Sequence, residues 1–230
     1  ALLLLKRGDF RAALDSADAG LRHVHGHLRG YTEHAAYLEA VRAAVLYEFD
    51  DVAAATQALE AYPAALDDRG GADFLLLTYL TRARLQFLAG RHDEGFAALQ
   101  LGRRLGQRRG LHRVAVTLAG EECVWLCRFG QVPAATELAR ANDFDRALHR
   151  SYGVVADKAA RVAPRLLMAQ QPEMAIAHLG PALIRATEKG FHHRQVELLM
   201  LQAAALLRAG RGAEATRSWC TALETGERHG

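Results

Sequence analysis

Three histidines stand at every second position in the segment HVHGH, at His23, His25 and His27. Imidazole nitrogens are common ligands of zinc and nickel, so this spacing suggests a metal site as one interpretation. In a helix, however, His23 and His27 share a face while His25 points elsewhere. All three could reach one ion only from an extended or irregular segment, and no nearby carboxylate completes the set. We therefore interpret the segment as an irregular helix end and expect no metal.

Two of the three cysteines, Cys123 and Cys127, are four positions apart and would share one face of a helix. Two thiolates can take part in a metal site. The alternative is that both fill space between helices, because free cysteine behaves as a small buried hydrophobe. We favour packing. With Cys220 the count is odd, which gives no disulfide framework and fits a reducing compartment.

No set of residues with the spacing of a catalytic site is present in the sequence. The three serines lie outside any GxSxG motif. Glu121 and Glu122 are adjacent on a predicted helix and point in different directions, so they do not pair across a site. His192 and His193, with His178, are expected to cap a helix or face solvent. We therefore expect a protein that is not an enzyme and holds no cofactor.

The composition favours helices and argues against nucleic acid and membrane. Half of the 230 residues are apolar, and alanine and leucine, which have high helix propensity, are abundant. The net charge of +3 is too small and scattered to indicate a nucleic-acid interface. The opening run ALLLLKRG has four leucines, far short of a membrane span. We expect a cytoplasmic protein, and a chain that is an excerpt of something larger.

Glycines recur with a period of 40 residues. One set marks the hinges between a first helix (A) and a second helix (B) of each repeat: Gly90, Gly130 and Gly210. A second set lies half a repeat away: Gly30, Gly70, Gly110, Gly190 and Gly230. The missing members are replaced by Asp50, Gln170 and Arg150. The hinge positions are therefore 8, 50, 90, 130, 170 and 210, and a period of this length indicates a helical-repeat array.

Five full repeats and one partial repeat follow from this period. The A helices are predicted at 32–48, 72–88, 112–128, 152–168 and 192–208. The B helices are predicted at 9–28, 51–68, 91–108, 132–147, 172–188 and 211–227. Pro133 and Pro172 fall near the starts of B helices, where a missing N–H costs least. Pro63, Pro164 and Pro181 fall inside helices and are expected to kink or interrupt them.

Two columns of small residues support the hairpins, because helices approach closely only where side chains are small. The column seven residues before the hinge contains Ala43, Ala83, Cys123, Ala163 and Ala203. The column five residues after the hinge contains Ala13, Ala55, Gly95, Ala135, Ala175 and Ala215. The column three residues before the hinge is apolar and is predicted to be core: Tyr47, Phe87, Cys127, Leu167 and Leu207.

This pattern resembles the tetratricopeptide (TPR) motif, although the period is 40 residues where the motif has 34. The fold class predicted is an all-α, TPR-like superhelical solenoid of about six helical hairpins, forming a single domain over residues 1–230. The resemblance implies a groove lined by A helices. Its positions carry over to eight residues of this sequence: Tyr37, Glu48, Arg84, Thr117, Arg128, Asp157, Glu197 and Arg208.

Arg84 and Arg128 are about one repeat apart, and together they could hold an anionic ligand or an acidic peptide. The alternative is a pair of ordinary surface arginines balanced by Glu48 and Asp157. The sequence alone leaves both interpretations open.

Residues 156–230 resemble more narrowly the sensor region of maltose-regulator-like LuxR transcription factors. The similar elements are LQA at 201–203, the GR hinge at 210–211, and Ala222, Leu223 and Gly230. GRHDEGFAALQ at 90–100 is similar to the hinge between their repeats.

The resemblance implies a domain that senses a small-molecule inducer or a protein or peptide partner. ATP and DNA would be bound only by domains absent from this chain, because it has no GxxxxGK[ST] motif and no recognisable DNA-reading helix pair. The resemblance is also compatible with an oligomer of the full-length protein. The alternative is a free-standing TPR-like scaffold that binds a peptide or protein.

Overall fold

The structure is a computed structural model that describes residues 1–27, 32–61, 70–144 and 154–229. These residues form helices joined by short turns, and no strand occurs among them. The helices are α1 (Leu2–Arg7), α2 (Phe10–His27), α3 (Thr32–Glu48), α4 (Val52–Glu60), α5 (Ala72–Leu88), α6 (His92–Arg108), α7 (His112–Arg128), α8 (Val132–Ala141), α9 (Val154–Leu167), α10 (Pro172–Glu188), α11 (His192–Arg208) and α12 (Gly212–His229). The odd-numbered helices are the A helices and the even-numbered ones the B helices. The predicted all-α fold of repeated hairpins is confirmed.

The helices group into two compact units, Ala1–Leu118 and Ala119–Gly230. The boundary falls within α7, so the first unit ends and the second begins on the same A helix. The single domain over 1–230 stays a prediction. In the part of the chain that the structure describes, no helix combines the length and apolar character needed to cross a membrane.

Five of the six hinge residues, Gly8, Asp50, Gly90, Gly130 and Gly210, end their A helices by taking a left-handed backbone. Gly90 has φ +74°, and the N–H of Arg91 donates to the carbonyl of Gln86 at 2.9 Å, which closes the helix end. Asp50 replaces glycine at its hinge and adopts φ +61°, a conformation that aspartate tolerates better than most residues. Gln170 does not take positive φ. Positions 30 and 150 lie outside the described residues.

One described helix end differs clearly from the prediction. Helix α8 stops at Ala141 where we predicted residue 147, because Asp143 turns left-handed at φ +57° and Phe144 is fully buried. The N–H of Phe144 donates to the carbonyl of Ala139 at 2.9 Å, so the buried ring holds the chain in a helix-ending turn. The predicted end of α4 at residue 68 falls outside the described residues, and so does Pro63.

Neither Pro164 nor Pro181 interrupts its helix, so of the two predicted effects the interruption is wrong, while a kink stays a prediction. Helix α9 continues through Pro164 to Leu167, and α10 continues through Pro181 to Glu188. Pro164 is itself buried, so its ring packs inside the unit. Tertiary packing can stabilise a helix against the loss of one hydrogen bond at proline.

The predicted small columns lie at the contact between the two helices of a hairpin. All eleven members are buried. At Gly95 the ring of Phe87 occupies the space that a side chain would take, because a Cβ there would lie 2.5 Å from Phe87 Cε1. Cys123 belongs to this column and its Sγ lies 3.7 Å from the carbonyl of Ala135, which confirms the packing role that we favoured for it.

The apolar column before the hinge is core only in part. Phe87 is buried, whereas the side chain of Leu207 is 56 % exposed. No further described helix covers that side of α11, so the last member of the column faces solvent. Here the prediction was wrong.

A further column of small residues lies twelve positions after the hinge and was missed by the sequence analysis. It packs α2 against α3, α6 against α7 and α10 against α11, whereas Asn142 stands at the equivalent position after α8. A Cβ on Gly20 would lie 2.8 Å from Leu38 Cδ1, and one on Gly102 would lie 2.7 Å from Leu118 Cδ1. Ala182 occupies the same column and is buried. The sequence alignment by period contained this signal, since the small residues recur at a fixed distance from the hinge.

Candidate functional site

The segment HVHGH is regular helix and not the irregular end that we expected. Helix α2 continues to His27, and His23 and His25 are exposed along it. Helical geometry therefore places His25 about 200° around the axis from His23. The side chain of His27 lies outside the described residues. Among the side chains that the structure describes, no group of three potential ligands could hold a metal ion.

Charged side chains form a partly buried cluster in the second unit. It spans three successive A helices, and we call it the charged cluster. Its members are Glu121 on α7, Asp157, Lys158, Arg161 and Arg165 on α9, and Arg194 and Glu197 on α11.

Arg161 is the central residue of the charged cluster. Its Nη1 donates to Glu121 Oε2 at 3.1 Å, and its Nε donates to Glu197 Oε1 at 2.6 Å. The side chains of Arg161 and Glu121 are 10 % and 4 % exposed, so this ion pair is largely withdrawn from water. Glu121 also accepts a hydrogen bond from Trp125 Nε1 at 3.2 Å. One guanidinium therefore joins α7, α9 and α11.

Arg194 links the two carboxylates at the outer edge of the cluster. Its Nη2 lies 3.3 Å from Asp157 Oδ2, and its Nη1 lies 3.4 Å from Glu197 Oε2. Lys158 Nζ lies 2.9 Å from the same oxygen of Asp157. Arg165 Nη1 donates to the carbonyl of Arg161 at 2.6 Å, while its Nη2 lies 3.5 Å from Glu197. Four cations thus surround three carboxylates.

Local packing explains why a lysine can be buried here. Lys158 is 7 % exposed and stands in a column whose other members are Leu38, Thr78, Leu118 and Leu198. A Cβ on Gly120 would lie 2.9 Å from Lys158 Cβ and 3.1 Å from its Cδ. The aliphatic stem of Lys158 therefore packs where α7 has no side chain, while its ammonium group reaches Asp157.

The field of the cluster holds the pKa of Glu197 well below its ordinary value. Burial alone would raise this pKa, but the charges of Arg161, Arg194 and Arg165 outweigh it. Burial lowers the pKa of Lys158, opposed by the charge of Asp157. The pKa of Asp157 is lowered, because Lys158 and Arg194 outweigh the effect of its burial.

Glu197 should therefore make folding stability depend on acidity. A carboxyl whose folded pKa is lowered binds fewer protons when folded, so its contribution is present above the unfolded pKa and is lost as pH falls. We expect the free energy of unfolding to decline from about pH 5 downward. The decline should be smaller in Glu197→Gln, which cannot titrate. Urea unfolding followed by circular dichroism between pH 7 and 3 measures this, and equal slopes in both proteins would contradict it.

Two of the eight predicted groove residues, Asp157 and Glu197, meet in this cluster through Arg194. Arg128, also in the second unit, places its guanidinium 4.6 Å from the centre of the Trp125 ring. Arg208 is exposed at the end of α11. Whether these residues bind a ligand stays a prediction.

The other four predicted groove residues lie in the first unit. Arg84 and Glu48 form an ion pair at 3.5 Å, and Arg84 also lies over the ring of Tyr47. Thr117 is buried. Tyr37 lines a cavity of about 520 Å3, and burial together with the charge of Asp73 raises its pKa.

Five residues of the charged cluster were not predicted: Glu121, Lys158, Arg161, Arg165 and Arg194. A signal was present in the sequence, because Glu121 and Arg161 have opposite charges and are one period of 40 apart. The first unit repeats this spacing in Asp73 and Arg113, whose side chains lie 2.7 Å apart. Opposite charges in one column of a helical repeat therefore indicate contacts between successive A helices.

The comparisons with known proteins give a likeness in fold. No protein-family model matches it, and no curated protein matches it. The crystal structure of BtubC (BKLC) from P. vanneervenii is similar, with a TM-score of 0.58 over 94 % of this chain and 90 % of that chain. The sequences are 14 % identical, so the likeness shows the fold alone.

Proposed function

We propose that the second unit is a binding module that recognises its ligand or partner on the A-helix face carrying the charged cluster. The observation that supports this is the burial of ion pairs among Glu121, Arg161 and Glu197. Taking such charges out of water offsets most of their attraction, and apolar residues in their place are often equally or more stabilising. A cluster of this kind is therefore better explained by recognition than by stability.

The charges favour an anionic ligand or an acidic peptide. Cations outnumber carboxylates by four to three in the cluster, and Arg128 adds a further exposed cation beside Trp125. Guanidinium groups bind carboxylates and phosphates through paired, charge-assisted hydrogen bonds. The guanidinium of Arg128 stacks on the indole of Trp125, and this cation–π contact orders the Arg128 side chain before a ligand binds.

We further propose that this module is the sensing region of a LuxR-type transcriptional regulator. The support is the resemblance of residues 156–230 to the sensor region of those proteins. Ligand binding would shift the balance between a resting and an assembling form of the full-length protein. Sequencing the flanks in the encoding gene tests this: flanks without both an ATP-binding domain and a helix-turn-helix would overturn the regulator and favour a free-standing scaffold.

Binding at the cluster predicts a thermal shift with acidic peptides. A ligand that binds only the folded chain raises its melting temperature. In a screen of metabolites and of Glu/Asp-rich nonapeptides, we expect at least one acidic ligand to do so, with an effect that weakens as salt is added. Arg128→Gln should weaken its affinity by about tenfold, the equivalent of one charge-assisted hydrogen bond.

Arg104→Gln is the matched control. Arg104 is an exposed arginine of α6, and among the described residues it has no ion pair. The affinity of the Arg104→Gln variant for the acidic ligand should match that of the unaltered chain. If no acidic ligand shifts the melting temperature, or if Arg128→Gln binds as well as the control, the cluster is not the binding face.

A further inference from the structure

A cavity of about 110 Å3 opens among α9, α10 and α11 of the second unit. Part of its wall is apolar, consisting of four alanines, Phe191 and Leu198. The rest consists of charged groups from Asp157, Arg185, Lys189 and Arg194. Arg185 and Lys189 lie outside the charged cluster, so the cavity adds cations that the cluster does not use.

The positive charge of Arg185 and Lys189 in the cavity is not balanced by a carboxylate among the described residues. Asp157 is its one acidic lining residue, and the carboxylate already interacts with Lys158 and Arg194. Within the described part of the chain, neither Arg185 nor Lys189 forms an ion pair. These two residues are four positions apart on one helix face, a spacing at which like charges repel. A bound anion would relieve that repulsion.

The basic lining is not shared by the equivalent corner of the first unit. The equivalent corner of the first unit, between α2 and α3, also lines a cavity, of about 520 Å3. There His23 stands at the position of Arg185, and His34 at the position of Arg194, counted from their hinges. Repeat geometry therefore accounts for a corner cavity in both units, but it does not account for the arginines.

We propose that this cavity binds the oxyanion group, a carboxylate or a phosphate, of a small ligand. Arg185 and Arg194 supply planar donors that match such a group, and Lys189 supplies a point charge. Phe191 and the alanine methyl groups pack against the carbon atoms next to the oxyanion. The volume corresponds to roughly four water molecules, which suits an oxyanion with a few carbons and is too small for a nucleotide.

Titration calorimetry with inorganic phosphate and with succinate, at low ionic strength, tests the site on the whole 230-residue chain. We expect saturable binding of at least one of them to a single site. Arg185→Gln and Lys189→Gln should each weaken that binding by about tenfold or more, since each removes a charge-assisted contact. Lys189 is exposed and Arg185 is half-buried, and neither forms an ion pair among the described residues, so circular dichroism should show an unchanged fold.

Arg104→Gln is again the control and should bind as the unaltered chain does. Binding of phosphate or succinate with this dependence supports the site, and the tighter of the two identifies the oxyanion. Absence of saturable binding, or equal affinity in the Arg185 and Lys189 variants, overturns it. Failure here is distinct from failure of the peptide site, because that test depends on Arg128 and on acidic peptides.

Discussion

Replacing Arg161 with methionine is expected to lower the free energy of unfolding by about 3–5 kcal/mol. Arg161 neutralises Glu121, whose side chain is almost fully withdrawn from water, and is one of three cations on Glu197. Methionine fills much of the same volume but leaves the Glu121 carboxylate buried without this cation. Urea unfolding at pH 7, followed by circular dichroism, measures the loss.

A second variant separates the charge effect from packing. In Arg161→Met with Glu121→Gln, the buried negative charge is gone, while the amide oxygen can still accept from Trp125 Nε1. We expect this double variant to recover a large part of the stability, so the two substitutions should be strongly non-additive. If Arg161→Met loses less than about 1 kcal/mol, or if the two effects simply add, the ion pair does not hold the three helices as described.

Replacing Phe87 with alanine is expected to lower the free energy of unfolding by about 3–5 kcal/mol. The ring is 5 % exposed, and it fills the space that Gly95 leaves between α5 and α6. It also meets Phe96 edge to face, with ring centres 5.0 Å apart. Because Gly95 has no side chain to move into the gap, the substitution would leave a cavity. Urea unfolding of the chain measures the change.

Leu207→Ala is the matched control, since Leu207 occupies the same repeat column and is largely exposed. We expect it to change stability by less than about 1 kcal/mol, because little apolar surface is buried there. Equal losses in the two variants would show that the column, and not the local burial of its members, determines stability.

The fold was predictable because the same pattern of hinge and small residues recurs in each helical repeat. Each hinge and each small column recurs in register, so a single exception such as Asp50 does not obscure the period. Helix ends were less predictable where tertiary contacts decide them. At α8, Asn142 and Asp143 are residues that favour helix ends, but the burial of Phe144, which fixes the turn there, is not indicated by the local sequence.

The candidate site was predicted only at Asp157 and Glu197. The other charges of the cluster were not singled out, because a charge on a helix usually faces solvent. Their burial depends on what faces them one repeat away, such as Gly120 opposite Lys158. Contacts of this kind are separated by about 40 residues and appear in the sequence only when charges are compared column by column.

Arg161 has a consequence for how this array could change in evolution. Helical repeats are commonly gained, lost or exchanged as whole units, because each interacts with its neighbours through similar apolar surfaces. Here the middle hairpin, α9 and α10, carries the cation that two different neighbours require. Its deletion would bring the Glu121 of one neighbour towards the Glu197 of the other without that guanidinium. Deleting this hairpin alone is therefore expected to cost more stability than deleting a repeat whose contacts with its neighbours are all apolar.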